Sequence, residues 1–158
     1  MRSERASTGA RIRPITAEET RGLRASVLRP GQAPRELIYP GDEVAGTRHL
    51  GAFAGGELVG IASFYTEPLA SAPDAKAVRL RGMATAPAVR GRGHGVALMA
   101  AGTDWARAAG ADLIWCNARS SARGFYEKLG LRTEGEEFEL AGIGPHWVMV
   151  RFLGSEHR

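Results

Sequence analysis

The chain has 158 residues, 44% of them apolar and 24% charged, which is one domain's worth of polypeptide and enough to bury a core without metals or crosslinks. Its single cysteine, Cys116, excludes an internal disulfide scaffold and any paired-cysteine zinc site, and fits a reducing compartment. No apolar run approaches the ~18 residues of a membrane-spanning helix. The 21 Lys plus Arg stand against 17 Asp plus Glu, and nearly all the cations are arginine; without a dense basic stripe they suit phosphates and carboxylates better than a nucleic-acid duplex.

Residues 1–9 are polar, lack the apolar stretch of a secretory signal, and read as a flexible arm before one domain over residues 10–158. Arg11 to Ile15 alternates as a strand does, and Thr16 is placed to cap a helix over Ala17 to Leu28 with Leu23, Val27 and Leu28 as its apolar stripe. Residues 29–47 are rich in Pro and Gly and long for a connection, so they read as a substrate lid. His49 to Ala54, the Gly55-Gly56 turn and Leu58 to Tyr65 form a hairpin signal. Ala77 to Ala86 reads as a strand ended by Pro87, and the glycine-rich step Arg90-Gly-Arg-Gly-His-Gly95 opens a helix from about Val96 to Ala109, stopped by Gly110. A short strand over Leu113 to Cys116, a helix from Ser120 or Ser121 to Leu129, and strands over Arg132 to Leu140 and Trp147 to Leu153 complete the order. The fold class is α/β in the broad sense, without an internal repeat.

The strongest chemical signal is the strand, glycine loop and helix around residues 83–100. Glycines at 91, 93 and 95 let main-chain N–H groups close around an anion, and a helix N-terminus adds its dipole. A Walker loop would need a lysine that is absent, and a dinucleotide fingerprint would need a small residue where Val96 or Leu98 stands.

Here the sequence resembles the GNAT superfamily of N-acyltransferases. Its acyl-CoA signature, Arg/Gln-x-x-Gly-x-Gly/Ala, stands as Arg90-Gly-Arg-Gly-His-Gly95 after Thr85-Ala-Pro87. A second block is similar to Asn117 followed by Gly124-Phe-Tyr-Glu-Lys-Leu-Gly-Leu131. The stretch Phe138 to His146 looks like a small bacterial branch with a Gly-Ile-Pro-His-like motif. The resemblance covers about residues 11–153. It implies a mixed, mostly antiparallel central sheet flanked by helices, and transfer of an acetyl or short acyl group from acetyl-CoA to the amine of a small molecule or peptide, with no metal.

Residue by residue, the resemblance implies that Arg90, Gly91, Arg92, Gly93, His94 and Gly95 hold the pyrophosphate, His94 through its main-chain N–H. Met83 and Thr85 would pair their main chain with the pantetheine arm as an added strand. Asn117 is either a cofactor contact or a strand-end cap. Phe125 and Tyr126 belong to the same acyl-CoA set, Phe125 toward the core and Tyr126 toward the sulfur, where its phenol can protonate the departing thiolate.

The strand before the loop, Arg79-Leu-Arg-Gly-Met83, lacks the glutamate that many family members use as base. A water chain, His146, Glu137 or Glu139 would then take the proton from the amine, and His146 follows a Gly-Pro bend that aims it inward. Arg79 and Arg81, two apart on one strand face, either bind a carboxylate on the acceptor or form a solvated pair. Cys116, beside Ile114 and Trp115, reads as inert core. The rival readings are a non-catalytic acyl-CoA sensor and a basic nucleic-acid-binding domain. The expected setting is cytoplasmic, without nucleic-acid or membrane partners, and the oligomeric state is left open between monomer and homodimer.

Overall fold

The computed structural model describes residues 10–154; the arm read over residues 1–9 and the last four residues of the domain lie outside them. Among the described residues seven strands, β1 (Ala10–Ile15), β2 (Arg48–Ala54), β3 (Glu57–Thr66), β4 (Ala77–Thr85), β5 (Leu113–Arg119), β6 (Arg132–Leu140) and β7 (Gly144–Phe152), form one mixed, mostly antiparallel sheet in the order β1-β2-β3-β4-β5-β7-β6, flanked by helices. The chain divides into two compact units: residues up to Tyr65 with Gly82–Gly102, and Thr66–Arg81 with the chain from Thr103 onward.

In the first unit, β1 (Ala10–Ile15) pairs antiparallel with β2 (Arg48–Ala54), which pairs antiparallel with β3 (Glu57–Thr66). Gly55 and Gly56 have φ of 59° and 84°, the two left-handed residues that a tight turn matching strand twist needs, so the hairpin falls where the sequence puts it. Thr16 caps α1 (Ala17–Leu23): its hydroxyl accepts from the Glu19 N–H at 3.1 Å while Glu19 accepts from the Thr16 N–H at 2.8 Å. Such a box stabilises a helix start by about 1 kcal/mol.

The helix does not run on to Leu28 as an α-helix. Arg24–Leu28 widens into a π turn, and the buried positions are Ala17, Thr20, Arg24 and Ala25, with Leu23, Val27 and Leu28 only half-buried. A buried arginine occupies the face that the apolar stripe was expected to fill.

α2 (His94–Ala108) begins two residues earlier than the sequence suggests, directly after Gly93. It buries Leu98 and Met99, and its Gly102 lies against Phe64 of β3 so closely that a methyl group there would overlap the phenyl ring.

In the second unit, the start of β4 (Ala77–Thr85) runs parallel to β5 (Leu113–Arg119), with Ala77 opposite Leu113 and Arg79 opposite Trp115. Both strands continue past that ladder. β7 (Gly144–Phe152) pairs antiparallel with β5 on one side and with β6 (Arg132–Leu140) on the other. Between Glu134 and Phe138 of β6, three residues face the single Trp147 of β7, and Gly135 with φ of 75° opens that bulge. Leu69, Ala77, Leu113, Trp115 and Val150 form a core cluster under the loop after β3, which the Trp115 Nε1–H fastens by donating to the Glu67 carbonyl at 2.9 Å. α3 is short, Arg123–Lys128, preceded by a single 3-10 turn at Ser120–Ala122.

Candidate active site

The glycine loop belongs wholly to the first unit. β4 ends at Thr85, a 3-10 turn at Pro87–Val89 follows, and Gly91 and Gly93 adopt φ of 81° and 87°, a region that side chains resist. The chain then enters the fifteen-residue α2 at His94, whose first N–H groups have no carbonyl four residues back to receive them. Arg90 and Arg92 are exposed, and a Cβ at Gly91 would meet open space. Arg90 Nε reaches the Thr85 carbonyl at 3.4 Å. The His94 ring is buried, and both its nitrogens lack a hydrogen-bond partner among the described residues. Left-handed glycines, a long helix N-terminus and two exposed guanidinium groups fit a doubly charged pyrophosphate. Met83 and Thr85 are half-buried on β4, beyond the three residue pairs it forms with β5.

The remaining residues named from the sequence lie in the second unit. Asn117 sits inside β5, opposite Val148, with the strand running two residues further; this excludes the strand-end cap. Its neighbours Cys116 and Ala118 are buried and it is half-buried, so it points to the other face. Burial pushes the Cys116 thiol up to about 12, and the thiol is inert at neutral pH.

Phe125 does not turn into the core: it is 41% exposed, and its ring meets that of Tyr126 edge to face at 5.1 Å. α3 is only six residues long, and the segment's core contacts come instead from Leu129 and Leu131, on either side of the Gly130 stop. Burial raises the Tyr126 phenol above its ordinary value, the nearby Cys116 adds to the rise, and Arg119 partly offsets it. The side chain therefore keeps its proton at neutral pH.

His146 is buried on β7, flanked in register by Arg119 and Phe138. Its Nδ1 lies 2.8 Å from the Gly144 carbonyl, and its ring tilts over Phe138 at 5.9 Å. A carbonyl can only accept, so Nδ1 carries the hydrogen and Nε2 is the nitrogen left to take up a proton. Of the other candidate bases, Glu137 is exposed and accepts from the Ser120 hydroxyl at 2.5 Å, and Glu139 is exposed opposite Pro145.

Arg79 already has a carboxylate: its Nη1 is 3.1 Å from Glu67, and its guanidinium lies 4.9 Å over the Trp115 ring. Arg81 is half-buried two residues on.

Sequence reasoning missed one cluster entirely. Arg24 is fully buried in the first unit and donates from Nη1 to Asp42 at 2.8 Å and to the Leu37 carbonyl at 2.9 Å. Its Nη2 donates to Asp42 at 3.1 Å, to Ser63 at 3.0 Å and to the Tyr65 hydroxyl at 3.1 Å. Tyr65 donates in turn to Asp42 at 2.6 Å, and His49 bridges Ser63 and the Asp42 carbonyl at 2.7 and 3.0 Å. Burial alone would raise the Asp42 carboxyl, but the hydrogen bonds from Arg24, Tyr65 and the Tyr39 N–H outweigh it and hold it below the usual carboxylate range. Residues 29–47, read as a lid, are thus pinned at Leu37 and Asp42. The only trace in sequence was a polar Arg24 at helical spacing from Ala17 and Thr20.

The model of the acetyltransferase (GNAT) family matches residues 17–131. The chain is 38% identical over 142 residues to the "uncharacterized N-acetyltransferase YitI" of Bacillus subtilis (strain 168), covering 90% of this chain and 95% of that protein. Among solved structures it is similar to Escherichia coli ElaA, with a TM-score of 0.71 at 21% identity over 90% of this chain and 99% of the other. It also resembles an aminoglycoside 6'-N-acetyltransferase complexed with coenzyme A, with a TM-score of 0.70 at 15% identity over 92% and 98% of the two chains.

Proposed function

The chain belongs to the acetyltransferase (GNAT) family and transfers an acyl group from acyl-CoA to an amine, and from that premise we propose which residues perform each step. The donor is acetyl-CoA or a similar short acyl-CoA. Its pyrophosphate rests on the loop N–H groups of Arg92, Gly93, His94 and Gly95, with Gly91 shaping the turn and Arg90 alongside. The observation that carries this reading is the pair of left-handed glycines, 91 and 93, set immediately before a fifteen-residue helix. The main chain of Met83 and Thr85, past the end of the β4–β5 ladder, pairs with the amides of the pantetheine arm. Asn117 and Phe125 complete the donor contacts.

The amine attacks the thioester carbonyl carbon directly: the C–N bond forms, the C–S bond breaks, and the electron pair leaves on sulfur. Tyr126, kept protonated by burial, donates its phenolic hydrogen to that thiolate. His146 removes the proton from the amine through Nε2, a role supported by the Nδ1 contact with Gly144, which fixes the tautomer that leaves Nε2 able to accept. Arg79 and Arg81, two apart on β4, are the donors to a carboxylate on the acceptor in this reading, Arg79 through a guanidinium that also meets Glu67.

Residues 10–158 act as one acyltransferase domain in this reading. A cytoplasmic location is supported by the lone, free, buried Cys116. No helix of the described residues is long and apolar enough to cross a membrane.

The deciding experiment is CoA release from acetyl-CoA over a panel of amines, amino acids, polyamines, aminoglycosides and peptide N-termini. Steady, amine-dependent release supports the acetyl-transfer reading; none with any amine overturns it.

A further inference from the structure

The segment between the π turn at Arg24–Leu28 and β2 is irregular apart from a single 3-10 turn at Pro34–Glu36, yet Leu37 and Asp42 within it are buried. Arg24 and Asp42 meet through two hydrogen bonds with side chains 0% and 1% exposed, and Arg24 also holds the Leu37 carbonyl. Tyr39 lies between those two anchor points. Its N–H donates to Asp42 at 2.9 Å, and its ring lies 3.9 Å from the Arg24 guanidinium carbon. An arginine fork locked onto a carboxylate cannot swing, and the ring stacked on it is fixed with it.

The ring also meets β4. Gly82 has φ of 66° in the middle of that strand, and a Cβ there would stand 3.3 Å from Tyr39 Cε2 and 3.5 Å from Arg24 Nε. Tyr39 is therefore packed against bare main chain, one residue before Met83. If the pyrophosphate rests at residues 92–95, the arm meets Thr85 before Met83, and the sulfur with its acyl group comes to lie beyond Met83, toward Gly82.

We propose that Tyr39, clamped by Arg24 and Asp42 against Gly82, is the end wall of the acyl pocket and restricts the donor to short acyl groups. This rests on the reading that places the pantetheine arm along Met83 and Thr85. A wall that cannot retreat rejects added methylenes by overpacking, and each methylene is worth about tenfold or more in a well-fitted apolar pocket.

The test measures dissociation constants of CoA, acetyl-CoA and butyryl-CoA by calorimetry on the full chain, for wild type, Tyr39→Phe and Tyr39→Ala. Wild type should bind acetyl-CoA at least about tenfold more tightly than butyryl-CoA. Tyr39→Phe, which keeps the ring on Arg24, should preserve that ratio within about twofold. Tyr39→Ala should bring the ratio to within about threefold of unity while leaving CoA itself within about twofold of wild type. If Tyr39→Ala melts below the assay temperature, Tyr39→Leu gives the same comparison. A wild type that does not discriminate, or a truncated variant that keeps the wild-type ratio, overturns the wall and leaves the acyltransferase reading intact. A wild type that binds none of the three overturns the donor site itself, and the wall with it.

Discussion

Nδ1 of His146 lies 2.8 Å from the carbonyl oxygen of Gly144, two residues earlier on the same strand. That contact decides which nitrogen is free to act. If Nε2 is the base, kcat/KM should show an acidic limb that His146→Gln removes, because glutamine cannot take a proton. The limb should stay in place when the acceptor is exchanged for an amine of different basicity. A limb that moves with the amine assigns the proton transfer to water and the amine's own ionisation.

Tyr126 makes the complementary prediction. Tyr126→Phe keeps the ring and its edge-to-face contact with Phe125 but deletes the proton. kcat should fall roughly 10²-fold while acetyl-CoA affinity moves less than about twofold. Because burial raises the phenol above its ordinary value, wild-type activity should show no loss from tyrosine ionisation below pH ~10. A fall in affinity as large as the fall in kcat would make Tyr126 a packing residue.

At Gly93 the main chain has φ of 87°, so an aspartate there is strained and places a negative charge in the proposed pyrophosphate site. Acetyl-CoA should raise the melting temperature of the wild type, and Gly93→Asp should abolish that rise. An undiminished shift, read by differential scanning fluorimetry, would remove the pyrophosphate assignment.

Asp42 sets an acid limit on stability. Its folded carboxyl titrates below the ordinary range, so its contribution is complete above the unfolded value of ~3.9 and is lost as pH falls through the folded one. Urea unfolding should therefore show wild type losing stability below about pH 4. Asp42→Asn leaves Arg24 buried without its counter-charge and should cost about 3–5 kcal/mol at pH 7. A variant within about 1 kcal/mol of wild type would mean that the other hydrogen bonds suffice.

The first unit shows what could be read from sequence and what could not. The hairpin from His49 to Tyr65 was legible to within a residue or two because Gly55-Gly56 and the flanking alternation each specify it locally, and the Thr16 cap was legible for the same reason. The Arg24–Asp42 pair was not. Hydrophobic periodicity finds buried faces only when they are apolar, and here the buried positions include Thr20 and Arg24, with the partner eighteen residues away across an irregular segment. In the second unit, Asn117 and Tyr126 were singled out through a motif and not through any local physical signal, and Phe125 was misplaced because α3 ends after six residues and hands its core contacts to Leu129 and Leu131.

Gly102 sets the seating depth of a helix whose other end opens at the proposed anion loop. The Phe64 ring occupies the space where a side chain at 102 would lie, so the helix beds down on β3 only as far as that missing methyl allows. His94 and the loop amides are eight residues away on the same rigid rod, about 12 Å at 1.5 Å per residue. A methyl group at 102 would prop the rod off its bed and tilt the amides away from the anion they are proposed to hold. In a mutational scan read by acyl-CoA retention, position 102 should be as intolerant as Gly91 and Gly93, and Gly102→Ala should be relieved by Phe64→Leu.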